Sequence, residues 1–219
     1  MKNILITGTN GMIGKLILGY CLQRADVNKV TSITRKKTGV SHPKLIEVNH
    51  NDFLDYIAVE EYLEKQDICF YCIGVYTGQV PKEEFRKITV DCTKALAIVL
   101  KQKSPEVSFC FLSGQGADLS EKSSVMFARD KGVAENILIN THFKKLGIFR
   151  PGYIYPVTPR KEPSFLYKVF RLLYKPLLSK IYPNMGISSE DLAQAMIKVG
   201  FNGGDKIIYE NQDIRQLSN

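Results

Sequence analysis

No apolar run in this sequence approaches the roughly 20 residues that a membrane-spanning helix needs. The run Ile4-Leu5-Ile6 near the N-terminus is soon broken by glycine, too short for the core of a secretory leader. The cytoplasm is therefore the expected compartment. Cysteine is sparse: Cys21, Cys69, Cys72, Cys92 and Cys110, an odd number scattered through apolar segments. That pattern argues against a disulfide framework and suits a reducing environment. Cys69 and Cys72 form a C-x-x-C, but neither a second pair nor a nearby histidine completes a metal site. On a strand, residues three apart face opposite sides, so one tetrahedral ion could not easily take both. They are expected to be small buried apolar residues, with no metal bound.

Acidic residues are outnumbered by basic ones, 22 against 30, for a net charge of +8. The first half nevertheless holds no basic run interleaved with aromatics, so nucleic acid is not the expected partner. Phosphates on a ligand and one late basic helix are the better explanation of the charge. With 219 residues, 44% of them hydrophobic, the chain can build one sizeable core, and a single domain over 1–219 is expected.

What is present is alternation. Apolar, β-branched runs lie at Ile4–Thr7, Val30–Thr34, Leu45–Val48, Ile68–Ile73, Val107–Leu112, Gly147–Arg150 and Lys206–Tyr209. Helical periodicity fills Ile13–Arg24, Glu83–Lys103, Val125–Lys144 and Glu190–Phe201. Nearly all-apolar strands alternating with helices mean a parallel sheet covered on both faces. The expected fold is a doubly wound α/β Rossmann domain, strand order 3-2-1-4-5-6, with an additional C-terminal strand.

The sharpest local signal is Thr7-Gly8-Thr9-Asn10-Gly11-Met12-Ile13-Gly14, which closes the first strand and opens the first helix. Gly8 permits the tight turn, Gly11 lets backbone approach a pyrophosphate, and Gly14 lets helix pack closely on sheet. The N–H groups at the helix start then face phosphate oxygens, helped by the helix dipole. The alternative is a glycine turn without a ligand. A site selective for NAD would carry a carboxylate about 20 residues on, for the adenosine ribose. Here the second strand ends instead on Arg35-Lys36-Lys37. The fork of Arg35 suits a ribose phosphate, which favours NADP over NAD, with Lys36 beside it. Otherwise the turn is simply solvated.

With these residues in view, the chain resembles the extended and atypical branch of the short-chain dehydrogenase/reductase superfamily. It is most similar to the Tat-interacting-protein type oxidoreductases, and more distantly to NAD-dependent epimerase/dehydratases. The resemblance rests on the glycine loop, Asn51-Asp52-Phe53, Cys72-Ile73-Gly74, Leu112-Ser113-Gly114, Lys131-Gly132-x-x-Glu135, Arg150-Pro151-Gly152 and the run Glu210–Ile214. It implies that Gly8–Gly14 cradle the pyrophosphate and that Asp52 and Phe53 hold the adenine. It also implies that Cys72, Ile73 and Gly74 pass along the middle of the cofactor and that Ser113 sits beside the nicotinamide, within reach of a substrate carbonyl. Lys131 would bind the nicotinamide ribose, and Pro151, Gly152, Tyr153 and Ile154 would close over the ring. On local sequence alone, Asp52 also reads as a helix N-cap and Lys131 as a solvated helix residue.

One piece of the resemblance is missing. The superfamily's Tyr-x-x-x-Lys is here Phe127-Ala128-Arg129-Asp130-Lys131. The spacing keeps both side chains on one helix face, but phenylalanine has no proton to give. Such a proton is worth roughly 10² to 10⁴ in rate. Tyr76, Tyr153 and Ser113 acting through water are the candidate substitutes. The reading is an NADP(H)-dependent oxidoreductase on a small carbonyl or activated alkene, with Ser113 and Lys131 catalytic. Its rival is a dinucleotide-sensing regulatory or interaction protein that keeps the site without turnover. Sugar-nucleotide epimerisation ranks third, since that chemistry leans on the missing tyrosine.

The stretch 151–187 is expected to form a loop and a basic amphipathic helix over the substrate cleft. Within 164–182, Leu166, Val169, Phe170 and Leu173 recur at helical spacing, opposite a stripe of Lys168, Arg171 and Lys175. That helix reads as a lid, or as a surface for a membrane or a protein partner.

Overall fold

The computed structural model describes residues 1–157 and 186–218. The basic helix expected over 164–182 lies outside the described residues. Seven parallel strands form one sheet: β1 (Lys2–Thr7), β2 (Val27–Thr34), β3 (Leu45–Asn49), β4 (Ile68–Tyr71), β5 (Ser108–Leu112), β6 (Lys145–Arg150) and β9 (Ile208–Glu210). Their order is β3-β2-β1-β4-β5-β6-β9, the doubly wound order expected from the sequence, with the late strand added beyond β6.

The strands read as continuous apolar runs because both faces are covered. Ile4 and Ile6 pack with α1 (Met12–Gln23) and α5 (Ser189–Asn202), while Leu5 packs on the other face with α3 (Cys92–Lys103) and α4 (Met126–Asn140). The same alternation sends Phe70 to one layer and Cys69 to the other. Cys72 joins the layer opposite Cys69, and all five thiols are free. No helix among the described residues is long and apolar enough to cross a membrane.

Several boundaries differ from the periodicity. The helix expected over 83–103 starts at Lys82, just after Pro81, and is interrupted: α2 (Lys82–Arg86) passes through a π turn (Lys87–Asp91) into α3. The helix expected to reach Lys144 ends at Asn140. Thr141 N–H bonds back to Ile137, and His142 takes φ 53, which turns the chain into β6. A 3₁₀ helix (Ile57–Leu63) lacks any signal in the apolar spacing. So do the two short parallel strands β7 (Tyr153–Tyr155) and β8 (Gly186–Ser188), which pair apart from the main sheet. A last helix, α6 (Asn211–Ser218), follows β9 directly. By contrast α5 has full punctuation: the Ser188 hydroxyl accepts from Asp191 N–H at 2.9 Å, and Gly203 ends the helix at φ 81.

This topology places a switch point at β1 and β4, where successive crossovers leave in opposite directions. Open α/β sheets hold ligands in the crevice at such a point, outside the carboxyl ends of the strands.

Candidate functional site

The glycine loop is built by close approach. Gly8 has φ +76, and a Cβ there would lie 2.5 Å from the Cys72 carbonyl oxygen. A Cβ on Gly14 would meet the Gly8 carbonyl oxygen at 2.3 Å, so α1 rests directly on the loop. Gly11 has ordinary extended backbone as the N-cap of α1, and no side chain caps that helix. The first turn also holds no acidic residue. Its N–H groups and the positive end of its dipole are left facing outward, the arrangement that binds an anion.

The loop also holds the end of β2. Thr9 and Ser32 hydroxyls meet at 2.8 Å. Asn10 Nδ2 donates to Thr34 Oγ1 at 2.9 Å and to the Lys36 carbonyl at 2.6 Å. Arg35, Lys36 and Lys37 are thereby fixed beside the glycines with exposed side chains and, among the described residues, no ion pair.

A cavity of about 790 Å³ opens at the carboxyl ends of β1, β4, β5 and β6. It brings together Gly11, Met12 and Ile13 with Cys72, Ile73 and Gly74. Ser113, Phe127 and Lys131 line it as well, together with Pro151, Gly152, Tyr153 and Ile154. Val75, Gly114 and Gln115 also line it, and the sequence reading missed their part. Their signal is position alone: each follows a strand's carboxyl end. Gly8, Thr9, Asn10 and Gly14 are not among the lining residues, nor are Arg35, Lys36, Asp52 and Phe53. Asp52 caps no helix; its carboxylate closes a turn by accepting from Leu54 N–H at 3.0 Å. Phe53 packs with His50 and Tyr56, ring centroids 5.6 and 6.1 Å away.

Lys131 is not the solvated helix residue that local sequence allows. Its side chain is buried, with Nζ donating to the Leu112 carbonyl at 3.2 Å and standing 5.0 Å from the centre of the Phe111 ring. Burial draws its pKa from 10.5 down to about 8, against the pull of Glu135 one helical turn on. Burial pushes the Cys72 thiol the other way, up to about 12, so it offers no thiolate at neutral pH.

Ser113 is engaged from behind. Its hydroxyl donates to the fully buried carboxylate of Glu135 at 2.5 Å. Arg150 Nε donates to both oxygens of that carboxylate, at 3.0 and 3.1 Å, and Arg150 also reaches Glu210 at 2.9 Å. The Arg150 fork grips the Glu135 carboxylate, and hydrogen bonding to Glu135 raises the pKa of Arg150. A cavity ligand therefore meets the lone pairs of Ser113 rather than its hydrogen, the reverse of the donation to a substrate carbonyl that the resemblance implies.

Phe127 stands one turn before Lys131 and packs beside Phe85, centroids 6.3 Å apart. A Cβ on Gly114 would lie 2.6 Å from Phe127 Cζ and almost equally far, 3.5 and 3.6 Å, from the two Cε atoms. The para position of the ring thus points at the open side of Gly114, where a tyrosine hydroxyl would have to go.

Comparison with known proteins bears on the fold and the family. The NAD dependent epimerase/dehydratase family model matches residues 4–125, more than half of the chain. Protein HTATIP2 of Rattus norvegicus is 29% identical over 156 residues, covering 70% of this chain and 63% of the relative. Thus the match spans less than two thirds of that relative's length. Among solved structures, the enzyme WbmH of Bordetella bronchiseptica, in complex with NAD+, superposes with a TM-score of 0.70 at 18% identity. That match covers 96% of this chain and 75% of WbmH. A short chain dehydrogenase family protein from Francisella tularensis matches over 97% of this chain and 98% of its own, with TM-score 0.68 and 15% identity. Likeness at such identity shows the fold, and the family match carries the assignment. Sheet order, glycine loop and matched residues together make the chain a member of the NAD-dependent epimerase/dehydratase family.

Proposed function

We propose that the chain is an NADP(H)-binding oxidoreductase acting on a small carbonyl or activated-alkene substrate. The observation that carries this reading is the uncapped start of α1 opening into the same cavity as the buried Lys131. The residues present fit a dinucleotide: the open N–H end of α1, where Gly11 N–H alone turns inward to the Gly8 carbonyl at 2.9 Å, for the pyrophosphate, and beside it cations that make no ion pair among the described residues, for a further phosphate. Gly11, Met12 and Ile13 would bind the pyrophosphate, and Arg35 and Lys36 the ribose phosphate. Asp52 and Phe53 would flank the adenine, and Cys72, Ile73 and Gly74 the middle of the molecule. Lys131 would hold the nicotinamide ribose and Pro151–Ile154 would cover the ring, excluding water. Bound there in reduced form, the cofactor supplies a hydride. NAD+ in the WbmH complex supports the class of ligand.

Calorimetry tests the reading. NADPH should bind at least about tenfold tighter than NADH, about 1.4 kcal/mol, and Arg35→Asp should shrink or invert that preference. Tighter binding of NADH by the parent would overturn the NADP assignment. A second reading, a sensor that binds without turnover, is favoured by Phe127 and by Gly114, whose open side the ring tip occupies. It predicts tight NADPH binding and no NADPH oxidation with any of a panel of aldehydes, ketones and enones.

A further inference from the structure

Reduction of a carbonyl needs one proton at the oxygen for each hydride at the carbon. The groups usually looked to for it are unsuited here. Phe127 has none to give, and its ring tip is set against Gly114. The Ser113 hydrogen is held by Glu135, whose carboxylate is held by Arg150. The Cys72 thiol is held protonated by its burial. Lys131 remains. Of the three hydrogens on its ammonium, the one toward Leu112 is engaged by a protein acceptor at 3.2 Å, which leaves others for ligands in the cavity it lines.

We infer that Lys131 is itself the proton donor of this site, giving a proton from Nζ to the substrate carbonyl oxygen. The inference rests on the oxidoreductase reading and deepens it. The balance is closed by chemistry already named. A reduced nicotinamide dinucleotide supplies the hydride to carbon, the C=O π bond breaks, and Lys131 Nζ supplies the proton to oxygen. The products are the alcohol, the oxidised dinucleotide and a neutral lysine amine, which regains a proton from water.

The surroundings of Nζ suit a donor near neutral pH. On α4, Glu135 lies one turn on and favours the charged form of Lys131, but it also binds Arg150 of β6 and the Ser113 hydroxyl just past β5. From β5 come the Leu112 carbonyl and the face of Phe111. Cys72 lies at the end of β4, and Tyr76 and Tyr153 line the same cavity. Asp130, next in sequence, turns away to Arg86 at 2.9 Å. Burial outweighs the attraction of Glu135, and the pKa of about 8 matches a group that must release a proton near neutral pH.

The test has two arms. In the first, the cofactor-free protein is acetylated with trace acetic anhydride across pH 6 to 11, and peptides are read by mass spectrometry. Lys131 should label with a midpoint near 8, about two units under an ordinary lysine, and NADPH should protect it. A midpoint above about 10 overturns the proposal. In the second, NADPH oxidation is followed on a panel of small aldehydes and ketones for the parent, Lys131→Arg, Lys131→Met, Tyr76→Phe and Tyr153→Phe. The parent kcat should fall as pH rises through the Lys131 midpoint. Lys131→Arg keeps a cation for the ribose but not a releasable proton. It should therefore lose at least about 100-fold in kcat while NADPH affinity, measured by calorimetry, changes severalfold at most. Full kcat in Lys131→Arg, or the 100-fold loss falling on a tyrosine variant instead, overturns Lys131 as the donor and leaves the oxidoreductase reading standing. A parent that binds NADPH and reduces nothing overturns both.

Discussion

Asn10 shows how much one side chain can do for charge placement. It carries no charge, yet its amide bonds to Thr34 and Lys36 keep three cations beside the glycine loop. Asn10→Ala should cut the preference for NADPH over NADH about tenfold while NADH affinity moves much less, because a flexible basic turn must be ordered on binding. Paired calorimetric titrations check this; an unchanged ratio would show the turn needs no brace. Lys131 carries a stability consequence as well. Its folded pKa, about 8, lies below the unfolded value near 10.5. Between those values the unfolded chain binds more protons, so stability rises with pH across the window and the group is a burden below it. Lys131→Met should therefore gain on the parent at pH 7, by up to about 3 kcal/mol, and lose that advantage by pH 10.5. Urea unfolding at both pH values reads the difference; an advantage independent of pH would refute it. The tight turn at Gly8 and the close packing at Gly14 were legible because the glycine spacing itself announces them. The burial of Lys131 and the turning of Ser113 toward Glu135 were not, since each depends on a partner about 20 residues away.

At the scale of elements, α1 and the loop before it are one unit. Gly14→Ala would force its methyl group to within 2.3 Å of the Gly8 carbonyl, so the helix must lift away. The expected loss is about 1–3 kcal/mol, with weaker NADPH binding because the N–H groups proposed to hold the phosphates move with the helix. Denaturant unfolding beside a cofactor titration checks both; an unaltered affinity would separate helix seating from phosphate binding. Long elements with one buried face were readable from spacing, α5 most completely, because cap, acidic first turn and terminal glycine all agree. The π turn within 87–91 was not, since one extra residue per turn leaves the apolar stripe nearly intact. Strands β7 and β8, three residues each, are too short to show any alternation.

Across the whole molecule, Glu135 and Arg150 tie α4 to β6, with Ser113 adding β5 and Glu210 adding β9. Removing one partner strands a buried charge, so Arg150→Met should destabilise the protein by about 3–5 kcal/mol. The double variant Glu135→Met with Arg150→Met should recover part of that loss, since the buried carboxylate is then removed together with its guanidinium partner. Thermal unfolding of the three proteins decides it; a double variant worse than the single would show the pair to be net stabilising. The sheet order itself was readable, because alternation of strand and helix admits few arrangements. The tie between the cavity and residues 210–211 was not, as nothing in their composition names a partner sixty residues back. That tie has a consequence for the order of synthesis. Gly152 N–H donates to the Asn211 side chain at 2.9 Å, and Asn211 and Arg215 both reach the Gly186 carbonyl, so α6 holds β7 and β8 together. A ribosome adding about 5–20 residues per second completes the phosphate loop and its basic turn long before it makes Asn211. The glycine loop and its basic turn are thus synthesised early, while the wall of the cavity at Gly152 waits several seconds for its latch.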